Sequence, residues 1–172
     1  MAATSGLFAV VLVWTTASGA PDDLGRPGRA LVRQCSATLG ESRGPWPGSF
    51  LSAPLALIVV GGLLTAAAAL CLVVRRPRQG EDPAIDDALR VQAAQAVTAG
   101  CGLLVALPFA EINIVAGGAM LGISCRPVWW TVGGWALVLL AAALLALAGW
   151  CGSVLVSPSG VRSRPCVESR RP

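Results

Sequence analysis

Glu111 is the residue in this sequence best placed to do chemistry. It is the one carboxyl group in the apolar run from Val91 to Leu121, and an ionisable side chain within such a run is by default a candidate for an ion path, a proton relay or a substrate site. The competing reading is an interfacial glutamate, hydrated or paired with Arg126 across the turn that follows. Register separates the two. If Val91 to Ala110 crosses the hydrocarbon, Glu111 lies at the outer surface; if Cys101 to Leu121 crosses it, Glu111 lies near the midplane, where a carboxylate is costly. The cheaper, interfacial or structural role is the expectation. Asn113, two residues on, belongs to a different side of the helix and does not obviously share the site.

Six cysteines offer a second chemistry. Cys35 and Cys125 fall in connectors on the side expected to be outside, where disulfides persist, and are the candidate pair. Sequence alone leaves open whether the two sulfurs meet. Cys71, Cys101, Cys151 and Cys166 fall in apolar spans or on the opposite side and read as small packing residues. With no Cys-x-x-Cys pair, a thiol–disulfide enzyme is disfavoured. All thirteen basic residues are Arg. Without His there is no imidazole base or imidazole metal ligand, and without Lys no Schiff-base amine or phosphate-loop lysine. Nothing resembles a dinucleotide fingerprint, a nucleophile elbow or a zinc motif. No catalytic residue, cofactor or metal site is therefore expected.

The elements that must position these residues are membrane helices. Of 172 residues 55% are hydrophobic and only 13% charged, which places the chain in the membrane class as one compact domain. Residues 50–74, FLSAPLALIVVGGLLTAAAALCLVV, carry no charge and run straight into Arg75 and Arg76. As a helix this stretch is about 37 Å long, enough to cross a bilayer core of roughly 30 Å. The predicted fold class is all-α, an integral membrane bundle of four transmembrane helices, or three if the first is cleaved.

Residues 1–20 are that first apolar segment. Ser18 and Ala20 suit a signal-peptide cleavage point, but the basic n-region is missing, and a retained transmembrane helix is the reading adopted. Residues 21–49 form a polar outer loop, too short for a core of its own, with one helical stretch expected from Arg29 to Leu39 ended by Gly40. Trp46 and Phe50 sit where an aromatic belt would mark the membrane surface. In the loop 75–90, Asp82 is a good N-cap, Pro83 suits the first helical position, and Asp86 and Asp87 favour the positive end of the helix dipole. Asp86 and Arg90 are spaced to pair. Residues 91–121 are the third span, which Pro108 is expected to kink. Residues 122–127 turn, and residues 128–156 are the fourth span, with Trp130 and Trp150 about 30 Å apart along it, the separation of two aromatic belts. Residues 157–172 read as a disordered basic tail.

Counting Arg near the span ends gives eight on the side of the 75–90 loop and the tail against five on the other. The positive-inside rule then places both termini in the cytoplasm of a cell-membrane protein. The Arg residues flank apolar spans rather than lining one soluble face, so anionic lipid headgroups are their expected counter-charge and nucleic acid is not. Gly61, Gly62, Ala66 and Ala69, with Gly100 and Gly102 and with Gly133 and Gly134, supply small-residue faces for close helix approach, within the bundle, with a protein partner or in a homo-oligomer.

The segment DDALRVQAAQAVTAGCGLLVALP, Asp86 to Pro108, resembles small uncharacterised multi-pass, four-helix membrane proteins of actinobacterial type, in which a capped Asp-Asp-Ala-Leu-Arg start leads into an Ala-rich span. That resemblance covers about one seventh of the chain and implies a topology, not an activity. Small multidrug-type transporters also have four spans and a membrane glutamate, but theirs lies in the first span. The expected function is that of an integral membrane protein without catalysis, an accessory or scaffold protein. The alternative is a small transporter or channel subunit using Glu111.

Overall fold

The computed structural model describes residues 2–75 and 83–156. The predicted tail 157–172, with Cys166, and the predicted N-cap Asp82 lie outside the described residues. Four helices carry the fold: α1 (Ala2–Ser18), α2 (Ser49–Arg75), α3 (Pro83–Gly122) and α4 (Val128–Val156). Two short strands, β1 (Leu31–Gln34) and β2 (Gly40–Arg43), lie between α1 and α2.

α3 begins at Pro83, whose missing N–H costs nothing in a first turn. Asp86 lies in that turn and accepts a hydrogen bond from Arg90 Nε at 2.9 Å. The helix continues through Pro108 for 40 residues, about 60 Å. By length and composition α2, α3 and α4 can each cross a membrane. α1 is apolar but has only 17 residues, about 26 Å.

α3 is the hub. Phe8 of α1 meets Phe109 edge to face at 5.2 Å between ring centroids. On α2, Gly62 lies under the Leu104 side chain, which a Cβ at that position would overlap. On α4, Gly134 faces Gly117 so closely that a Cβ on Gly117 would stand 2.8 Å from the Gly134 carbonyl oxygen. Close backbone approach of this kind is how small residues hold helices together where lipid removes the hydrophobic drive. The core made this way contains Val105, Ala106, Phe109 and Ile112 of α3 with Val59, Ala141, Leu144 and Ala148.

The helix predicted from Arg29 to Leu39 is not formed. That stretch enters an antiparallel hairpin with Leu31 opposite Arg43 and Gln34 opposite Gly40. The reason lies outside the stretch: Leu31 is buried beside Met120 and Ile123 at the α3 end, and an isolated helix of about eleven residues is marginal in water. Ser36 closes the turn, its Oγ accepting from Leu39 N at 3.1 Å. The fold is thus helical with a small β cap, and the loop borrows the core it is too short to build.

Trp46 also departs from expectation. It is fully buried within the protein rather than exposed on its surface, donating from Nε1 to the Thr15 carbonyl at 2.8 Å and packing edge to face on Trp14. Phe50 stays partly exposed beneath the Arg29 guanidinium, 4.3 Å from its ring centroid. The loop closes over Trp46 because three glycines let backbones meet. Gly28 has φ +68°, and Gly19 and Gly48 pack against its main chain with no room for a Cβ on Gly48.

Candidate functional site

Cys35 and Cys125 are joined in a disulfide, with Cα atoms 5.7 Å apart and a sequence separation of 90. The hairpin presents Cys35 just after β1, and the turn between α3 and α4 presents Cys125. Around the bridge the contacts are polar. Glu41 accepts from Ser124 N at 2.8 Å and from Ser124 Oγ at 3.3 Å. Arg33 donates to the Cys125 carbonyl at 3.3 Å and lies over the Trp130 ring. Arg43 donates to the Gly122 carbonyl at 3.0 Å, satisfying one of the acceptors a helix end leaves open. Sequence reasoning missed Glu41, Arg33 and Arg43, since only the hairpin's alternation turns them toward the α3–α4 turn.

A sulfur of each cysteine and a Glu41 carboxylate oxygen lie within 4.8 Å of one another, a spacing a metal ion could bridge. The disulfide uses both sulfurs, however, and Ser124 occupies the carboxylate, so the arrangement is a clamp rather than a metal centre. Cys71 is exposed and Cys101 and Cys151 are half-buried free thiols.

Asp22 organises the start of the cap. Slight desolvation pushes its carboxyl pKa up, but the Arg26 backbone N–H, the Arg26 side chain and the Leu24 N–H together outweigh it and hold the group below the usual carboxylate range. Arg26 Nε lies 2.7 Å from its carboxylate.

Glu111 lies eleven residues before the last residue of α3, about 16 Å along the axis. It makes no ion pair with Arg126, contrary to that reading of the sequence. Arg126 instead donates to the Leu121 and Ile123 carbonyls and to Thr131 Oγ1, closing the α3–α4 turn upon itself. The Glu111 side chain is exposed, on a stripe with Leu107, Ile114 and Gly118. Asn113 is fully buried; its Nδ2 donates to the Phe109 carbonyl at 2.6 Å, and its Oδ1 has no partner. The two polar residues therefore face apart, and the structure does not bring Glu111 near the cysteines.

Two open clefts flank the Gly44–Pro45 corner of the cap. One, of about 380 Å³, lies between Arg43 and the cap end of the Glu111 stripe, at Ile114, Gly118 and Gly122. The other, of about 250 Å³, is bordered by Asp22, Arg26, Arg29 and Phe50. A third cavity, between α1, α3 and α4, holds about 20 Å³, room for one water.

The small residues sort by face. Gly62, Gly117 and Gly134 are filled by neighbouring helices, whereas Gly61, Gly100 and Gly118 have nothing within 4 Å of where a Cβ would stand. No family model matches the chain, and no curated protein or solved structure is similar to it.

Proposed function

We propose that this chain is an integral protein of the cell membrane that crosses the bilayer four times with both termini cytoplasmic. It acts as an accessory or scaffold subunit beside another membrane protein, without catalysis of its own. The observation that carries this reading is the cap. Segments 90 residues apart are bridged by a disulfide and by Glu41, Arg33 and Arg43, while the larger cavities beside it are open clefts. Such a build favours holding a shape over enclosing a substrate. The disulfide also suits an oxidising outer side, and the contacts of Phe8 and Thr15 with the rest of the bundle favour a retained α1 that tilts little or thins the bilayer slightly.

The test is the size of the protein extracted from its own membranes in mild detergent. A stable particle larger than a single chain, whose second component is a different membrane protein, is the expected result; a lone monomer refutes the reading. Fusion of a reporter active only outside the cytosol to residue 172 should give low activity, and high activity would invert the topology. A second reading, a transporter or channel subunit, is favoured by the exposed carboxyl of Glu111 within an apolar helix. It predicts proton or cation flux in liposomes holding this protein alone, abolished by Glu111→Gln.

A further inference from the structure

α3 is packed on two flanks and bare between them. Leu104 on one flank meets Gly62 of α2, and Gly117 and Leu121 on the other meet Gly134 of α4. At about 100° per residue, Leu107, Glu111, Ile114 and Gly118 fall in the interval between these contacts, and all four are exposed. The Arg43–Pro45 corner roofs the interval at its cap end. The result is an exposed stripe of α3 between its α2 and α4 contacts, with a carboxyl group partway along it and an open cleft against the cap at one end.

The depth of that carboxyl follows from helix pairing. Gly117 lies against Gly134 in antiparallel helices, so Glu111 stands roughly level with Leu140, midway between the exposed Trp129 and Trp150 of α4. If those tryptophans mark the two membrane surfaces, the carboxyl faces the hydrocarbon with no hydrogen bond or ion pair from the described residues. An ionised group there is costly and ordinarily finds a partner in the bundle or a neighbour.

Among its described residues a second copy of this chain offers no cation at that depth. Its basic residues are all Arg; Arg90 is about 31 Å away at helical rise, and Arg43 and Arg126 sit beyond the end of α3, about 16 Å from Glu111. Arg43 and Arg126 are already bonded to the α3–α4 turn. Two glutamates brought together would repel. A lipid tail fills apolar volume but offers no cation.

Resting on the reading of this chain as an accessory subunit, we infer that the exposed α3 stripe between α2 and α4 docks a transmembrane helix of a different protein, one that carries an Arg or Lys near its midpoint. Glu111 supplies the counter-charge, and Gly118 and Gly100, open on the same stripe, allow the incoming backbone to approach.

The experiment places a photo-crosslinking amino acid at Leu107 or Ile114, beside Glu111, and separately at Leu139, exposed on α4, in the full chain in its native membrane. The proposal expects one adduct from the α3 positions, to a protein whose crosslinked span contains Arg or Lys at mid-depth. That adduct should fall at least tenfold in Glu111→Gln, be largely restored in Glu111→Asp, and be absent from Leu139. Insertion of each variant is checked by trypsin-resistant mass. Adducts to lipid, to a second copy or to a helix without a basic residue overturn it, as does a Glu111→Gln variant that crosslinks at full yield. If the protein remains in a larger particle while Glu111→Gln changes nothing, the docking inference fails and the accessory reading survives. If it is a lone monomer in its own membrane, both fail.

Discussion

At the cap end of the bundle the polar side chains mostly bond the main chain of the α3–α4 turn, whereas halfway along the bundle Asn113 keeps one bond and Glu111 none among the described residues. Arg33, Arg43, Glu41 and Arg126 all bond main-chain groups of the α3–α4 turn. That end is self-sufficient: its hydrogen bonds and its disulfide would survive with nothing else present. The middle is held by glycine-mediated backbone contact and leaves one carboxyl unanswered. The contrast teaches where a partner can matter, because a surface that already satisfies its own polar groups has little to gain from one.

The sharpest way to break the cap end is Trp46→Ala. The substitution empties a fully buried site and removes the Nε1 bond to the Thr15 carbonyl, so unfolding in detergent should be easier by about 3–5 kcal/mol, whereas Trp46→Phe should lose roughly 1–2 kcal/mol. Cys35→Ser should come next, at about 2–4 kcal/mol, with the protein becoming insensitive to reductant. A wild-type melting curve that ignores dithiothreitol would show that the clamp adds nothing.

The middle is tested by neighbouring glycines. Gly117→Ala must displace the Gly134 carbonyl and should cost about 1–3 kcal/mol, while Gly118→Ala meets open space and should stay within about 0.5 kcal/mol for the isolated chain. Equal effects at the two positions would mean that α3 and α4 do not pack as described.

What could be read in the sequence was local. The lengths and apolarity of α2, α3 and α4 lie in continuous runs, and the start of α3 is written in Pro83, Asp86 and Arg90. The hairpin was not legible, because Leu31 is buried by Met120 and Ile123, about ninety positions away. Trp46 failed for the same reason: an aromatic between Pro residues before a span looks interfacial until Thr15 is seen above it. Gly117 and Gly118 are the same residue type one position apart, and only a rotation of about 100° separates contact from open space. The Glu111–Arg126 pairing failed because the turn's own carbonyls take up the arginine, a competition invisible without coordinates.

The smallest expected effect returns to the cap and concerns Asp22. Its carboxyl is held below the ordinary value by the N–H groups of Arg26 and Leu24 and by the Arg26 guanidinium, against slight desolvation. A carboxyl lowered in the folded state contributes its stability fully above its unfolded pKa, about 3.9, and loses it as pH falls through the folded value. Between pH 5 and 8 nothing should change. Below about pH 4 the amides of Leu24 and Arg26 that donate to Asp22 should open and exchange several-fold faster, after correction for intrinsic rates, while global melting hardly moves. Asp22→Asn keeps an acceptor oxygen but cannot titrate, so this extra exchange should disappear. If the variant's two amides track the wild type down to pH 2.5, the acid response of the cap end arises elsewhere, with Glu41 at the disulfide clamp the next carboxylate to replace.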